Sequence, residues 1–282
     1  MLIPHTKPTV SIQGGAGSFH HIAAEQVFGD LELIERPAFH DIFKDVASDK
    51  ADFGLLAIEN SIAGSLTYNF DLLGEFDLPI VGETYLRISH QLIAIPGVNP
   101  GDLREVWSHP MAIQQARVYL RTLDIKITEH EDTAGAVAAI KKGNRREVAA
   151  VASKRAAELH GMSILKQNIE TDPNNYTRFL LISNKELNGL TKNRDYKTSL
   201  LFGFSDRPGA LVEVLHIFAE AELNMSKIES RPRIGSPWRY DYYVDIEMDA
   251  RSKPAKRILD KLNHKTDFLR ILGTYPRLKG DY

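Results

Sequence analysis

The chain has 282 residues, enough for two domains, and its 43% hydrophobic and 26% charged residues are typical of a folded globular protein. Its 35 basic and 37 acidic residues nearly cancel, without long runs of one sign, which argues against a nucleic-acid partner. The absence of cysteine excludes disulfides, thiol nucleophiles and thiolate metal sites. Because no long apolar window or secretory leader pattern is present, we expect no membrane partner and a cytoplasmic location.

The first predicted element is a strand that runs into a glycine-rich loop. Thr9 to Ile12 reads as a short strand, Gly14 to Ser18 forms the loop, and helical spacing follows. Ser18 is placed to cap this helix, and Gly17 lets backbone N–H groups approach an anion at the positive end of the helix. Because the glycines match neither the dinucleotide fingerprint nor a P-loop, the loop predicts a carboxylate site, with a simple tight turn as the open alternative.

The third predicted strand ends in three polar residues. Phe53 to Ile58 is a continuous apolar run, typical of a parallel strand covered on both faces, and it ends at Glu59-Asn60-Ser61. Open α/β sheets bind ligands at the C-terminal ends of their strands. These three polar residues are therefore candidate ligand contacts, with helix capping by Asn60 or Ser61 as the alternative.

The strand-helix pattern restarts after Pro96, which indicates a second lobe. A short strand ends at Ser108-His109-Pro110, and Gln115 lies in the helix that follows. The alternation of strands and helices over residues 9–165 predicts a mostly parallel, doubly wound architecture. A cleft between the two lobes would bring the polar strand ends together.

The main catalytic candidate lies where a Pro/Asn-rich loop enters a late strand. The segment Asn175 to Phe179 places the hydroxyl of Thr177 at the strand end, although strand propensity alone also favours threonine there. A return of this strand to the first lobe would bring Thr177 into the cleft. Arg178 offers a carboxylate clamp, but alternation along the strand points it away from Thr177, which favours a structural ion pair.

The C-terminal part has a separate pattern. After a polar stretch, residues 198–282 follow the order strand, helix, strand, strand, helix, strand, which is the ferredoxin-like plan. Pro208 suits the first turn of the first of these helices.

With these motifs in hand, the chain resembles the prephenate dehydratase family over nearly all of its length. The catalytic-domain motifs stand in order as Gly17-Ser18-Phe19, Ile58-Glu59-Asn60-Ser61 with Gly64, Ser108-His109-Pro110 with Gln115, and Asn175-Tyr176-Thr177-Arg178-Phe179. A C-terminal ACT regulatory domain is indicated by Gly209-Ala210-Leu211-Val212 and Glu229-Ser230-Arg231-Pro232. Each motif alone is weak, but their order and spacing make the joint match specific.

The resemblance implies an α/β protein with two domains. The catalytic domain, at residues 1–185, is expected to be two-lobed, doubly wound and like periplasmic binding proteins, with lobes at about 1–95 plus 175–185 and at 96–174. A linker is expected at 186–197, followed by a ferredoxin-like βαββαβ ACT domain at 198–282.

The family reaction converts prephenate to phenylpyruvate in phenylalanine biosynthesis, with loss of CO2 and water. The resemblance implies Thr177 as proton donor to the departing hydroxyl, and chemistry of this kind needs no metal or other cofactor. We read His109 as a positioning or capping group rather than a base. The residues that we predict as substrate contacts are Gly17, Ser18, Glu59, Asn60, Ser61, Ser108, His109, Gln115 and Arg178.

The resemblance also implies feedback inhibition by L-phenylalanine, bound between paired ACT domains of a homodimer or homotetramer. The Gly209-Ala210 turn would let the ligand approach backbone amides, although helix-start packing explains the same residues. The predicted ligand-binding residues are Gly209, Ala210, Leu211, Val212, Asn224, Met225, Glu229 and Ser230.

The chain departs from the family pattern in the glycine loop and after Ser-His-Pro. Gly15 stands where a proline is common, Ala16 where a charged residue is common, and Met111 where a glutamine is frequent. Because the first strand begins near Thr9, we expect no fused chorismate mutase. Arogenate dehydratase activity and a non-catalytic amino-acid sensor are the alternative functions.

Overall fold

A computed structural model describes residues 7–185 and 195–277. The strands in these two ranges form three sheets, of which two belong to the N-terminal domain and one to the C-terminal domain. No helix in the described ranges is long and apolar enough to cross a membrane.

The two lobes of the N-terminal domain alternate strands with helices. The first lobe contains β1 (Thr9–Gln13), α1 (Phe19–Phe28), β2 (Glu32–Arg36), α2 (Phe39–Ala47), β3 (Phe53–Asn60), β4 (Gly64–Ser65), α3 (Thr67–Glu75) and β5 (Ile80–Arg87). The second contains β6 (Gln91–Ala94), β7 (Glu105–Ser108), α4 (Pro110–Gln115), α5 (Arg117–Leu120), β8 (Lys126–Glu129), α6 (Thr133–Lys142), β9 (Val148–Ala152), α7 (Lys154–His160) and β10 (Ser163–Lys166). The chain then returns to the first lobe through β11 (Tyr176–Ile182).

Each lobe is built on a mostly parallel sheet with a single antiparallel strand along its main path. The first sheet has the order β2-β1-β3-β11-β5, and β11 is antiparallel to both neighbours because it enters from the second lobe. The second sheet has the order β10-β6-β9-β7-β8, with β6 antiparallel to its neighbours. The predicted two-lobed, doubly wound α/β fold is confirmed.

The lobe boundary lies earlier than predicted. Strand β6 pairs with β9 and β10 in the second sheet, so the chain leaves the first lobe after Arg87 and not near residue 95. The reason is that β6 is buried throughout and apolar after Gln91, and such a run fits the interior of either sheet. Strand β10 was not predicted at all.

The C-terminal domain contains β12 (Tyr196–Gly203), α8 (Ala210–Glu220), β13 (Met225–Pro232), β14 (Tyr240–Ile246), α9 (Lys253–Asn263) and β15 (Phe268–Pro276). Its sheet has the order β13-β14-β12-β15 and is antiparallel throughout, which confirms the ferredoxin-like plan. The first strand begins at Tyr196, inside the predicted linker, whose residues 186–194 lie outside the described residues. Helix α8 begins after Gly209, which has a left-handed φ of 83°, and therefore starts later than Pro208.

The two faces of the C-terminal sheet pack against different partners. One face is covered by α8 and α9 around a core that includes Leu200, Phe202 and Val244. The opposite face packs on the first lobe, where Leu201 and Tyr243 join the core formed by α2, α3 and the first sheet. The C-terminal domain therefore rests directly on the lobe that contains Thr177.

Candidate active site

A cavity of about 330 Å³ lies in the cleft between the two lobes. Ser18, Asn60 and Thr177 line it from the first lobe, and His109 and Gln115 line it from the second. The structure therefore brings together five of the ten residues predicted for catalysis and substrate binding, drawn from four separate segments of the chain. The volume of the cavity is at the lower end of the range for small-molecule pockets, which is about 300–1,000 Å³.

Thr177 lies at the start of β11 and is 8% exposed. It pairs in register with Asn60 of β3, whose Nδ2 donates a hydrogen bond to Thr177 Oγ1 at 3.0 Å. Among the contacts of the described residues, none accepts the hydroxyl hydrogen of Thr177. The hydroxyl can therefore accept from Asn60 and donate its own proton to a molecule in the cavity.

His109 and Gln115 are placed by helix α4. The Nδ1 of His109 accepts from the backbone N–H of Met111 at 3.2 Å, with Pro110 in the first helical position, so His109 caps this helix. The Oε1 of Gln115 is 2.7 Å from Nε2 of His90. Because an amide oxygen only accepts, His90 donates to it, and burial lowers the pKa of His90 so that its ring is neutral.

His20 lines the cavity together with His90 and His109. Its ring contacts Phe39 and Phe179, with centroid distances of 5.6 and 5.0 Å, and its Nε2 accepts from the backbone N–H of Ala57. Burial lowers the pKa of His20 to about 4, which keeps it uncharged at neutral pH. Sequence analysis missed both His20 and His90, and the only available signal for His20 was its position two residues after the Ser18 cap.

Three predicted contacts have structural roles instead of lining the cavity, in the second lobe, in the loop before β11 and at the lobe interface. Ser108 is fully buried, and its hydroxyl donates to the carbonyl of Val151. Ser61 donates to the carbonyl of Asn174, which fixes the loop before β11. Gly17 contacts the second lobe, and its N–H donates to His21 Nδ1 rather than to the cavity.

The other two predicted contacts, Glu59 and Arg178, point to the opposite side of the first sheet. Glu59 accepts from Lys227 of the C-terminal domain at 2.8 Å. Arg178 is buried and pairs with Glu83 and with Asp245, the latter at 2.6 Å. Neither side chain reaches the cavity, because neighbouring residues of a strand face opposite sides of the sheet.

The glycine loop binds a carboxylate, but one that belongs to the chain itself. The N–H of Ala16 donates to Glu35 Oε1 at 2.6 Å, and the Glu35 carboxyl group lies beside Gly15. Ser18 caps α1 as predicted, accepting from the N–H of His21. The Ala16 amide is therefore engaged with Glu35, and Gly14 and Ser18 are the loop residues that line the cavity.

The residues predicted to bind an amino acid lie in two places on the C-terminal domain. Gly209 to Val212 form the start of α8, where Val212 is 66% exposed, while Met225 and Ser230 lie on the edge strand β13. Asn224 precedes that strand and donates to Glu247. Glu229 faces the other way and accepts from Ser65 of the first lobe at 2.6 Å, so its predicted role is corrected to a domain contact.

Comparison with known proteins agrees with this arrangement. The family model for prephenate dehydratase matches residues 10–187, and that for the ACT domain matches residues 198–264. The arogenate dehydratase/prephenate dehydratase 2 of Arabidopsis thaliana is 38% identical over 276 residues, covering 95% of this chain and 72% of that protein. The chain belongs to the prephenate dehydratase family.

Solved structures of related proteins have the same two-domain fold. The structure of GqqA, described as a novel type of quorum quenching acylase, superposes with a TM-score of 0.88 at 34% identity and covers 96% of this chain and 98% of its own. The prephenate dehydratase of Arthrobacter aurescens in complex with L-Phe gives a TM-score of 0.85 at 28% identity, covering 95% and 90%. The chain is thus a dehydratase of the carbon-oxygen lyase class with a C-terminal ACT domain, and not a non-catalytic sensor.

Proposed function

We propose that this dehydratase converts prephenate to phenylpyruvate. The observation that carries the proposal is the Thr177 hydroxyl, which faces the cleft cavity, accepts from Asn60 and has no acceptor for its own hydrogen among the described residues. The leaving hydroxyl of the substrate is the acceptor that this geometry suits.

The proposed reaction needs a proton donor and orientation, because aromatisation of the ring supplies the driving force. As the ring C–O bond breaks, Thr177 protonates the departing oxygen, and the C–C bond to the carboxylate breaks to release CO2. The electron pair of that C–C bond completes the aromatic ring, and solvent reprotonates Thr177. Donation from Asn60 polarises the Thr177 O–H bond, and general-acid help of this kind is typically worth about 10²–10⁴-fold.

Arogenate is the second candidate substrate. It has an ammonium group where prephenate has a ketone, and the acidic residues Glu131 and Asp132 line the cavity from the second lobe. A carboxylate close to the ammonium group would favour arogenate, and the Arabidopsis relative has both activities in its name.

An assay of the purified protein with each substrate tests the proposal. Appearance of phenylpyruvate from prephenate, or of phenylalanine from arogenate, identifies the substrate. We expect Thr177→Val to lower kcat by about 10²–10⁴-fold, because valine has the same shape without the O–H, while Thr177→Ser retains more of the activity. Full turnover by Thr177→Val would remove Thr177 from the mechanism.

Acylase activity, the activity ascribed to the structural relative GqqA, is less well supported. Activation of a hydroxyl nucleophile usually requires a neighbouring base within hydrogen-bond reach. Among the described contacts, Thr177 pairs with Asn60, and the side chain of Ser18 caps its own helix.

We also propose feedback inhibition by L-phenylalanine at the ACT domain. Support comes from the ACT family match and from the L-Phe complex of the Arthrobacter relative. The remaining candidate residues, around Gly209 and Ser230, would form the site. Calorimetric titration tests this, and the absence of phenylalanine binding would remove the regulatory claim.

A homodimer or homotetramer is proposed as the active assembly. The edge strand β13 exposes Ile228, and the hairpin after it exposes Ile234 and Trp238, which suits a surface that a second copy covers. Light scattering coupled to size-exclusion chromatography would test this, and a monomer at micromolar concentration would contradict it.

A further inference from the structure

Asn175 is a fully buried side chain two residues before Thr177. Its Oδ1 accepts from Asn60 Nδ2 at 2.7 Å, the shortest of the three contacts made by that nitrogen. The Nδ2 of Asn175 itself is buried and has no hydrogen-bond partner within the described part of the chain. A buried amide with an unpartnered N–H2 group is unfavourable, and packing alone does not explain an asparagine here.

The orientation of both amides follows from their contacts. Asn60 Oδ1 accepts from the backbone N–H groups of Ile62 at 3.1 Å and Ala63 at 2.9 Å, so its Nδ2 must face β11. Only the oxygen of Asn175 can meet that N–H2 group, because the flipped amide would oppose two donors.

The two hydrogens on Asn60 Nδ2 have three acceptors available. These are Asn175 Oδ1 at 2.7 Å, Thr177 Oγ1 at 3.0 Å and the Tyr176 carbonyl at 3.1 Å. Asn175 holds one hydrogen and thereby keeps the amide plane oriented with the other directed towards Thr177. Loss of this acceptor removes the shortest contact of the Asn60 N–H2 group, so that its hydrogens can shift from Thr177 towards the Tyr176 carbonyl.

We propose that Asn175 is a positioning residue for the dehydration. It acts through Asn60 to hold the Thr177 hydroxyl with its proton directed into the cavity. Asn175 does not belong to the cavity lining and does not touch substrate. The inference rests on the proposed proton-donor function of Thr177.

A double-mutant cycle on the full-length chain tests the proposal. Asn175→Leu keeps the branched side-chain shape with the same number of heavy atoms, lacks the acceptor and also removes the unpartnered N–H2. We expect this variant to be as stable as the wild type or more so, yet to lose about 10- to 100-fold in kcat with KM changed less than about threefold. In the Asn60→Ala background, Asn175→Leu should cause no further loss.

Asn174, the exposed neighbour of Asn175, provides the matched control. The kcat of Asn174→Ala should remain within about twofold of the wild-type value. Asn175→Ala serves as the second substitution if leucine is not accommodated. Equal losses from Asn175→Leu in both backgrounds would assign it an independent role and overturn the proposal. Unchanged kcat would overturn it as well.

A readout without substrate separates this proposal from the proposed activity. In protein labelled with ¹⁵N-asparagine, the Asn60 side-chain N–H2 signals are those that disappear in Asn60→Ala. We expect their hydrogen exchange to be at least about 10-fold faster in Asn175→Leu. Unchanged signals and exchange would overturn the positioning role, whereas failure of the wild type to turn over either substrate would remove only the proposed function.

Discussion

A single glycine, Gly17, determines how closely the two lobes approach. Its φ is +86°, and a Cβ atom built there would lie 2.7 Å from the Cα of Ala156 in the second lobe. Its carbonyl accepts from Ser153, which caps the helix containing Ala156. The loop before α1 is therefore fixed against the second lobe rather than free to enclose a ligand.

We expect Gly17→Ala to destabilise the fold by about 2–4 kcal/mol, because it combines an unfavourable φ with a backbone collision. Denaturant unfolding measures this. Gly161→Ala is the matched control, since its φ is also positive at +58° but no atom lies within 4 Å of the added Cβ. Equal losses from both substitutions would show that the approach of the lobes is not constrained at Gly17.

His20 links the stability of the fold to pH. Its pKa is about 4 in the folded protein against a usual value of 6.5, so the unfolded state binds more protons between these values. The free energy of unfolding should therefore fall as the pH is lowered from about 6.5 to 4, by at most about 3 kcal/mol. Unfolding in urea across this range should show a smaller slope for His20→Gln, and an identical slope would contradict the assignment.

Single residues also show where sequence analysis of the site succeeds. Ser18, Asn60 and Thr177 were found because polar strand ends in an α/β sheet point to one edge. Ser61 and Ser108 follow the same rule but donate to backbone carbonyls of segments distant in sequence, and no sequence spacing distinguishes these outcomes. His20 and His90 were not predicted as site residues, because their surroundings are formed by residues distant in sequence.

Strand β11 shows how one element serves two functions. Thr177 and Phe179 face the cavity, while Arg178 between them faces the C-terminal domain. Alternation along the strand predicted that Arg178 points away from Thr177, but its partners could not be predicted, because Asp245 lies in another domain. The strand therefore joins the proposed proton donor, the Thr177 hydroxyl, to the domain interface through adjacent residues.

We expect Asp245→Asn to destabilise the protein by about 3–5 kcal/mol. Burial alone would raise the pKa of Asp245, but Arg178 holds it below its usual value, so the pair is charged. Glu83, the other carboxylate near Arg178, is already shared with Lys197, and the substitution leaves an uncompensated buried cation. Thermal and denaturant unfolding measure the loss.

An exposed ion pair is the control for that substitution. Asp249 pairs with Arg251 near the surface, and Asp249→Asn should cost less than about 1 kcal/mol. A loss of similar size for both variants would show that burial of the Arg178 pair contributes little.

At the scale of the whole molecule, the order of domains was predictable but their docking was not. The alternation of strands and helices and the later βαββαβ order are local patterns that one sequence displays. The packing of the C-terminal sheet on the first lobe depends on side chains such as Leu201 and Tyr243, which resemble any core residue in the sequence. Because of this packing, Glu229 contacts Ser65 of the first lobe instead of the predicted ligand.

That contact connects the C-terminal domain to the wall of the cavity. Ser65 lines the cavity, and Lys227 donates to its hydroxyl at 2.7 Å and to Glu59 at 2.8 Å. Strand β13, which carries Lys227, also carries Ser230, one of the residues proposed to bind phenylalanine. A shift of this strand on ligand binding would therefore move the Ser65 hydroxyl.

We expect Lys227→Met to weaken inhibition by phenylalanine about 5- to 100-fold, the range of typical allosteric couplings, while kcat without phenylalanine changes less than about threefold. Steady-state kinetics across phenylalanine concentrations measures the inhibition, and calorimetry on the same variant should show that phenylalanine still binds. Lys256 is an exposed lysine on α9, and Lys256→Met, which removes the same positive charge, should leave inhibition intact. If Lys227→Met and the wild type have the same inhibition constant, the Lys227 contacts with Glu59 and Ser65 do not transmit the regulatory signal, because removing the ammonium group eliminates both of these hydrogen bonds.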